Sequence, residues 1–427
     1  MTLRNVRATI TSPERNRELV LLSASAAFIL VAWRSLDAAA FALPASSNRI
    51  VAQFLISALV GHVGLRIFAP RGAAQPYAVA VLLTAVGLAF VLRLAPSAAP
   101  SQANWFTLGA ALMVGTAAAS RHYPRLRSYK YTSALVAVVL LVATGFFGTS
   151  INGARLWIIV GGQTVQTTEL IKLFLVVFLA GYLADEASVL ASPRLRFGGR
   201  SYSALPYLLP LLATLFIAIA ALALLKDLGS IALLLLLTIG ALYVATGRLS
   251  FVLGGLLLLG STGVLGYFAF DHVHARVNVW LDPYATADTS GYQTVQSLYA
   301  VQAGGVTGEG LGLGQPDTVP AATTDYIFDS IAEELGLAGA LGVVLLYVVL
   351  LFAGLRISLG MPDDYGKLLA ATISLLIATQ AAVIIAGNLR IIPTTGITLP
   401  FVSYGGSSLI VNFVLLGLLV GVSNRRA

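Results

Sequence analysis

Long apolar runs, broken by short polar turns, dominate the chain from end to end. A membrane-spanning helix needs roughly 20 predominantly apolar residues. Runs of that kind predict about twelve spans, at 17–34, 49–68, 76–95, 104–120, 131–148, 166–184, 204–225, 228–246, 251–270, 332–355, 367–388 and 406–423. The runs are apolar on every face and lack the alternation of a transmembrane strand. Backbone groups in lipid must find partners within their own segment, so each run predicts a helix. The expected fold is an all-α polytopic membrane protein. No internal repeat recurs along the chain.

One polar stretch interrupts this pattern. Residues 271–331 carry seven acids: Asp271, Asp282, Asp288, Glu309, Asp317, Asp325 and Asp329. The stretch is too long for an ordinary connection, which marks it as functional or partly folded. Its Gly304, Gly305, Gly308, Gly310, Gly312 and Gly314 suit either a tight re-entrant path or a mobile loop. No Gly-Lys-Ser/Thr follows them, so they are not a Walker loop. A second long connection covers 389–405.

Charge sets the orientation. With the N-terminus in the cytoplasm, most of the 26 basic residues fall on the cytoplasmic side, among them Arg4, Arg7, Arg15, Arg17, Arg66, Arg71, Arg121, Arg125, Arg127, Lys130, Arg194, Arg196, Arg200, Arg248, Arg356, Lys367, Arg425 and Arg426. Arg34, Arg49, Arg93, Arg155, Lys226, Arg276 and Arg390 fall outside or at the outer boundary. Both termini are then cytoplasmic and the 271–331 loop is extracytoplasmic. The run after Arg17 could pass for a signal peptide, with small residues at 38–45 as cleavage sites. An uncleaved first span is expected, because losing it would reverse the charge-consistent topology.

Composition agrees: of 427 residues, 58% are hydrophobic and 10% charged, against about a quarter charged in soluble domains. The net charge of +8 is scattered over cytoplasmic turns and forms no basic domain, which argues against nucleic-acid binding. There is no cysteine, hence no disulfide or thiolate chemistry. His62, His122, His272 and His274 do not cluster with acids across one span, and no His-Glu-x-x-His or Gly-x-Ser-x-Gly motif occurs.

Charges inside the apolar runs need partners. Glu169 and Lys172 sit three apart in the sixth run, on one helical face. They make either a self-neutralising pair or a site in which Lys172 binds an anionic lipid headgroup. Lys226-Asp227 is a similar doublet at the end of the seventh run. Arg155 and Trp157 lie just beyond the fifth; the tryptophan suits an interfacial anchor and the arginine a phosphate partner.

Several of these segments, taken in order, resemble the shape, elongation, division and sporulation (SEDS) family, which includes RodA and FtsW. They are Gly153-Ala154-Arg155-Leu156-Trp157, Gln166-Thr167-Thr168-Glu169-Leu170-Ile171-Lys172, Lys226-Asp227-Leu228-Gly229-Ser230, Asp282-Pro283 through Gly291-Tyr292-Gln293, Thr324-Asp325-Tyr326-Ile327-Phe328 with Glu333-Glu334-Leu335-Gly336, and Pro393 through Ser408. The resemblance covers about 130–424. It departs where Leu156 replaces an arginine and where Thr167 and Lys226 replace prolines. The family core has ten spans, so residues 1–130 are expected to include a two-span addition, with 131–427 forming the catalytic core.

The resemblance implies a peptidoglycan glycosyltransferase. Such an enzyme polymerises lipid II, the lipid-linked disaccharide-pentapeptide, at the outer face of the bacterial cytoplasmic membrane during elongation or division, and releases undecaprenyl diphosphate. A carboxylate must take the acceptor's proton and cations must neutralise the diphosphate. By resemblance Asp325 is the base; read without it, Asp325 would be a helix N-cap. Asp227 is the second acid. Arg155, Lys172, Lys226 and Arg390 are candidate diphosphate partners. Trp157, Glu169, Gln293, Ser403 and Tyr404 complete the expected substrate site. The outer acids could hold a divalent cation such as Mg or Mn, without a fixed ligand spacing. The implied partner is a class B penicillin-binding protein, a transpeptidase. The alternatives are a lipid II flippase and a non-catalytic scaffold for the transpeptidase.

The topology is tested directly. Reporters placed after Ala427 and near Arg196 should both read cytoplasm, and one near Asp288 should read the outside. A cytoplasmic signal from the 271–331 loop overturns the orientation.

Overall fold

Every expected apolar run coincides with a helix in the computed structural model, which describes residues 12–425 apart from 40, 42, 152, 153, 193, 194, 198, 199, 203 and 204. Arg4, Arg7, Gly153, Arg194 and Arg426, used above for orientation and motif matching, lie outside the described residues. The helices are α1 Pro13–Ala38, α2 Ser47–Phe68, α3 Gln75–Leu94, α4 Ala99–Ala119, α5 Lys130–Phe147, α6 Thr167–Ala191, α7 Leu209–Leu224, α8 Leu228–Thr246, α9 Leu249–Ala269, α10 Asp271–Leu281, α11 Tyr292–Gly304, α12 Ile327–Leu359, α13 Asp364–Asn388 and α14 Gly406–Ser423. Among the described residues ten helical stretches are long and apolar enough to cross a membrane. One of them, Ala99–Phe147, contains α4, a 3-10 segment and α5, and the apolar α7 is shorter, at 16 residues.

The chain divides into two compact units. The first combines residues up to Arg121 with Ala275–Gly354 and Gln380–Arg426. Its first helix opens on Ser12, whose side chain accepts from Arg15 N at 3.2 Å, followed by Pro13 and Glu14 in the first turn. Arg15, expected as a cytoplasmic charge, is fully buried: its guanidinium pairs with Glu18 and donates to the Gly72 and Ala73 carbonyls. His62 of α2 places Nδ1 2.7 Å from Glu18 Oε1, so one histidine does meet an acid, across two helices rather than along one. Small residues allow α4 and α14 to approach closely: a Cβ on Gly109 would touch Phe413, and one on Gly417 would overlap the Met113 backbone. Phe54, Phe106, Phe413 and Phe401 form a continuous aromatic line with centroids 4.8–5.4 Å apart.

The second unit combines His122–His274 with Leu355–Thr379. It contains an antiparallel sheet, β1 Thr149–Ile151, β2 Ala154–Val160 and β3 Gln163–Gln166, turned at Gly161-Gly162, both with positive φ. A short hairpin, β4 Leu195–Phe197 and β5 Arg200–Tyr202, joins α6 to α7. The two departures from the family's prolines have structural meaning. Thr167 is buried and its hydroxyl bonds Thr144 Oγ1 at 2.7 Å and Leu156 O at 3.2 Å, tying sheet to helices in a way proline could not. Lys226 stands at φ 63, beyond the reach of a proline ring fixed near −65°. None of the residues of α9 is buried.

The 271–331 stretch is folded. It holds α10, α11 and two 3-10 turns. The glycine segment folds back onto α12: Glu309 N and Gly310 N donate to the Glu333 and Glu334 carbonyls, and Leu337 N donates back to Gly305 O. The span expected at 332–355 begins earlier, at Ile327, and bends at Gly336, where φ is 65 and ψ −168. The polar Glu333-Glu334 hid this first stretch from a search for apolar runs. A Cβ at Gly336 would lie 2.6 Å from Val306 O, so only glycine fits there. Gly336→Ala is therefore expected to destabilise the protein by about 1–3 kcal/mol or more. The unfolding midpoint of the purified variant checks this, and an unchanged midpoint would sink the assignment of the bend.

Candidate functional site

The first unit contains a polar cavity of about 220 Å³. Arg276 of α10, Gln293 and Thr294 of α11, Asp325, Asn388 at the end of α13, and Gly396 line it. Asp325 comes just before α12. The amides of Asp329 and Ser330 turn to Tyr326 O, so the helix opens from Tyr326 and the capping role suggested for Asp325 is not the one it plays. Its carboxyl is left to face the cavity. Burial pushes it above the ordinary aspartate range; a hydrogen bond from Thr324 and the charge of Arg276 hold that rise back.

Gly396, at φ 72, makes room for this pair. A Cβ there would lie 3.5 Å from Arg276 Nη2 and 3.7 Å from Asp325 Oδ2. The cation and the carboxylate thus flank one bare backbone position. Arg276 Nη1 donates to the carbonyls of Thr394 and Thr395, at 3.1 and 3.0 Å, which fixes α10 to the 389–405 segment. Sequence reasoning counted Arg276 only as a boundary charge. The available signal was its face: Arg276, Val279 and Trp280 fall at i, i+3 and i+4 of one helix.

Of the residues expected in this unit, Gln293 lines the cavity and donates to Pro320 O at 2.8 Å. The others are placed differently. Ser403 is buried; its hydroxyl donates to Thr324 O at 2.5 Å and accepts from Leu399 N at 2.9 Å. Tyr404 N donates to Thr323 O at 2.8 Å. These contacts hold the backbone leading into Asp325. Arg390 is also committed to protein: its Nε and Nη2 donate to the Trp280 and Leu281 carbonyls at the C-terminal end of α10, at 2.8 and 2.6 Å, while Trp280 Nε1 donates to Arg390 O at 3.1 Å. That arrangement caps a helix.

The remaining expected residues lie in the second unit. Glu169 and Lys172 form a buried ion pair, 2.5 Å from Nζ to Oε2. Lys172 also lines a small apolar cavity of about 40 Å³ with Leu175, Leu222 and Leu376. Asp227, expected as the second acid, is buried and caps α8, accepting from Ser230 N at 2.9 Å and Ser230 Oγ at 2.7 Å. Lys226 is exposed. Arg155 is exposed and donates to Gly145 O at 3.0 Å, and Trp157 pairs with Gln166 across β2 and β3.

Residues 73–427 match the FtsW/RodA/SpoVE family of cell cycle proteins. The chain belongs to this family. It is 36% identical over 428 residues to the peptidoglycan glycosyltransferase RodA of Mycobacterium tuberculosis, across 96% of this chain and 90% of that protein. It is 37% identical over 297 residues to stage V sporulation protein E of Bacillus subtilis, across 68% of this chain and 76% of that protein. Among solved structures it resembles a chain from work on the structural coordination of polymerization and crosslinking by a peptidoglycan synthase complex, with TM-score 0.64, 26% identity, and 88% and 96% of the two chains covered. It also resembles the rod shape determining protein RodA of Thermus thermophilus, with TM-score 0.59, 25% identity, and 82% and 95% covered. The fold is that of the SEDS-type helical bundle.

Breaking a buried ion pair on one side typically costs about 3–5 kcal/mol. Lys172→Ala should therefore lower both the unfolding midpoint and glycan synthesis. The double change with Glu169→Gln removes the stranded charge and should restore stability. Full recovery of synthesis in the double variant would make Lys172 a neutralising partner and nothing more.

Proposed function

We propose that the Asp325 cavity is where this chain joins sugars. The chain is a peptidoglycan glycosyltransferase of the bacterial cytoplasmic membrane, and its substrate is the lipid-linked disaccharide-pentapeptide. The observation that carries the assignment is the placement of Asp325 and Arg276 on either side of Gly396 in one polar cavity. The acceptor's sugar hydroxyl attacks the donor's anomeric carbon. A glycosidic C–O bond forms, the bond from that carbon to the diphosphate oxygen breaks, and undecaprenyl diphosphate leaves. Asp325 takes the hydroxyl proton as general base. Its raised affinity for protons suits that role, since a base works best with a pKa moved toward the working pH.

Arg276 serves the other half of the reaction. Nη1 is fixed by two carbonyls, so the guanidinium is held in place before substrate arrives. A preorganised cation stabilises the charge that develops on the leaving diphosphate. Among the described residues no three of His, Asp and Glu gather into a metal site. A Mg or Mn ion in this cavity would be held by Asp325 together with the substrate's own phosphate oxygens. The active site faces the outside, both termini face the cytoplasm, and the chain works with a class B penicillin-binding protein that cross-links the strands in elongation or division. Support for the partner comes from the likeness to the peptidoglycan synthase complex.

Asparagine keeps the shape of Asp325 and cannot accept the proton. Asp325→Asn should fold normally and lose about 10²–10⁴-fold in glycan synthesis. The pH profile gives the sign: the base must be ionised, so kcat/KM falls as pH drops, and burial places that limb above the ordinary aspartate range. Near-normal polymerisation by a folded Asp325→Asn protein removes Asp325 as the base.

A further inference from the structure

The helical pair α1–α2 precedes the family match, which begins at residue 73. It is not confined to this chain, because the alignment with the Mycobacterium tuberculosis relative covers 96% of the sequence and so reaches into the pair. Nothing in the chemistry described so far uses it. Its contacts show a use.

The end of α1 lies against the glycine segment. A Cβ on Gly312 would sit 3.1 Å from Leu36 Cδ2 and 3.4 Å from the Ala39 Cβ. Leu36 is fully buried there. Just beyond the helix, the Phe41 ring lies 4.7 Å from the guanidinium carbon of Arg93. Arg93, buried at the end of α3, donates to Glu334 Oε1 at 3.0 Å, Gly314 O at 2.9 Å and Asp317 Oδ1 at 3.2 Å. Its neighbour Leu94 packs on the cluster of Ala300, Val319, Ala322 and Tyr326. Tyr326 adjoins Asp325. Contacts therefore run without a gap from Phe41 through Arg93 and the 312–319 segment to the turn that carries the carboxylate.

We propose that the end of α1 and the connection after it are a positioning element for the Asp325 turn. The Leu36–Ala39 surface backs Gly312, and the Phe41 ring keeps the Arg93 guanidinium on the glycine segment. Phe41 is suited to isolating the effect, because its contact with Arg93 is a cation–π interaction with no hydrogen bond to replace. The inference rests on Asp325 being the base.

The test uses the full-length protein in lipid, with Leu313→Cys as a spin-label site. Leu313 is largely exposed and the chain contains no other cysteine. Phe41→Leu keeps apolar volume and removes the ring. It should loosen the label and lower kcat about three- to tenfold, in line with the loss of one partly buried cation–π contact, with KM unchanged. Phe41→Trp restores the ring and should recover both readings. The proposal is overturned if Phe41→Leu leaves the label as tightly held as before, if it frees the label without lowering kcat, or if Phe41→Trp fares no better than Phe41→Leu. The label reading is independent of the chemistry. Full activity in Asp325→Asn would defeat the base assignment and leave the label result to be judged alone.

Discussion

The side chain of Glu334 is the constraint on which the site depends. The segment that carries Asp325 has no sheet and no disulfide to fix it. Glu334 supplies what they would. One carboxylate oxygen takes the Arg93 guanidinium and the other takes Gly312 N at 3.0 Å. Its backbone carbonyl takes Gly310 N, and the neighbouring Glu333 takes Gln315 N at 2.6 Å. Two consecutive acids thus organise a glycine-rich stretch whose entropy would otherwise oppose order. The bend at Gly336 is what brings them within reach.

The same economy appears elsewhere in the first unit. Arginines lying wholly or partly out of solvent are spent on backbone carbonyls in the connections and at a helix end. Arg15 takes the Gly72 and Ala73 carbonyls, Arg390 takes those that end α10, and Arg276 takes those of Thr394 and Thr395. An unpaired carbonyl away from water is costly. An arginine satisfies several at once with a rigid fork of donors. Asp325 is held in place by contacts of this kind from Ser403 and Tyr404, and it keeps its own carboxyl for the cavity.

The helices were legible because apolar runs leave a backbone in lipid few alternatives. Their ends were less so: Glu333 and Glu334 concealed the start of α12, since polar residues there bind a folded loop and not solvent. Asp325 and Gln293, expected from motif resemblance, both line the cavity. Arg276 was not legible there, because topology counting treats every outer arginine alike, and only the fold shows which one faces a carboxylate. Ser403, Arg390 and Asp227, expected at the substrate or as a second acid, all bond backbone groups in the structure. A motif marks a residue without saying whether it touches substrate or holds the backbone that does. The link between α1 and the glycine segment joins residues about 275 positions apart and leaves no local periodicity.

Helix α9 differs from its neighbours in having no buried residue. Its described packing is against α8, where Gly255 lies under Ile239. At 21 residues it is about 31 Å long, close to the roughly 30 Å of a hydrocarbon core. Protein contacts do little to fix its tilt, so hydrophobic matching with the surrounding lipid does so instead. For this one helix, bilayer thickness rather than side-chain packing is the reference that its length matches.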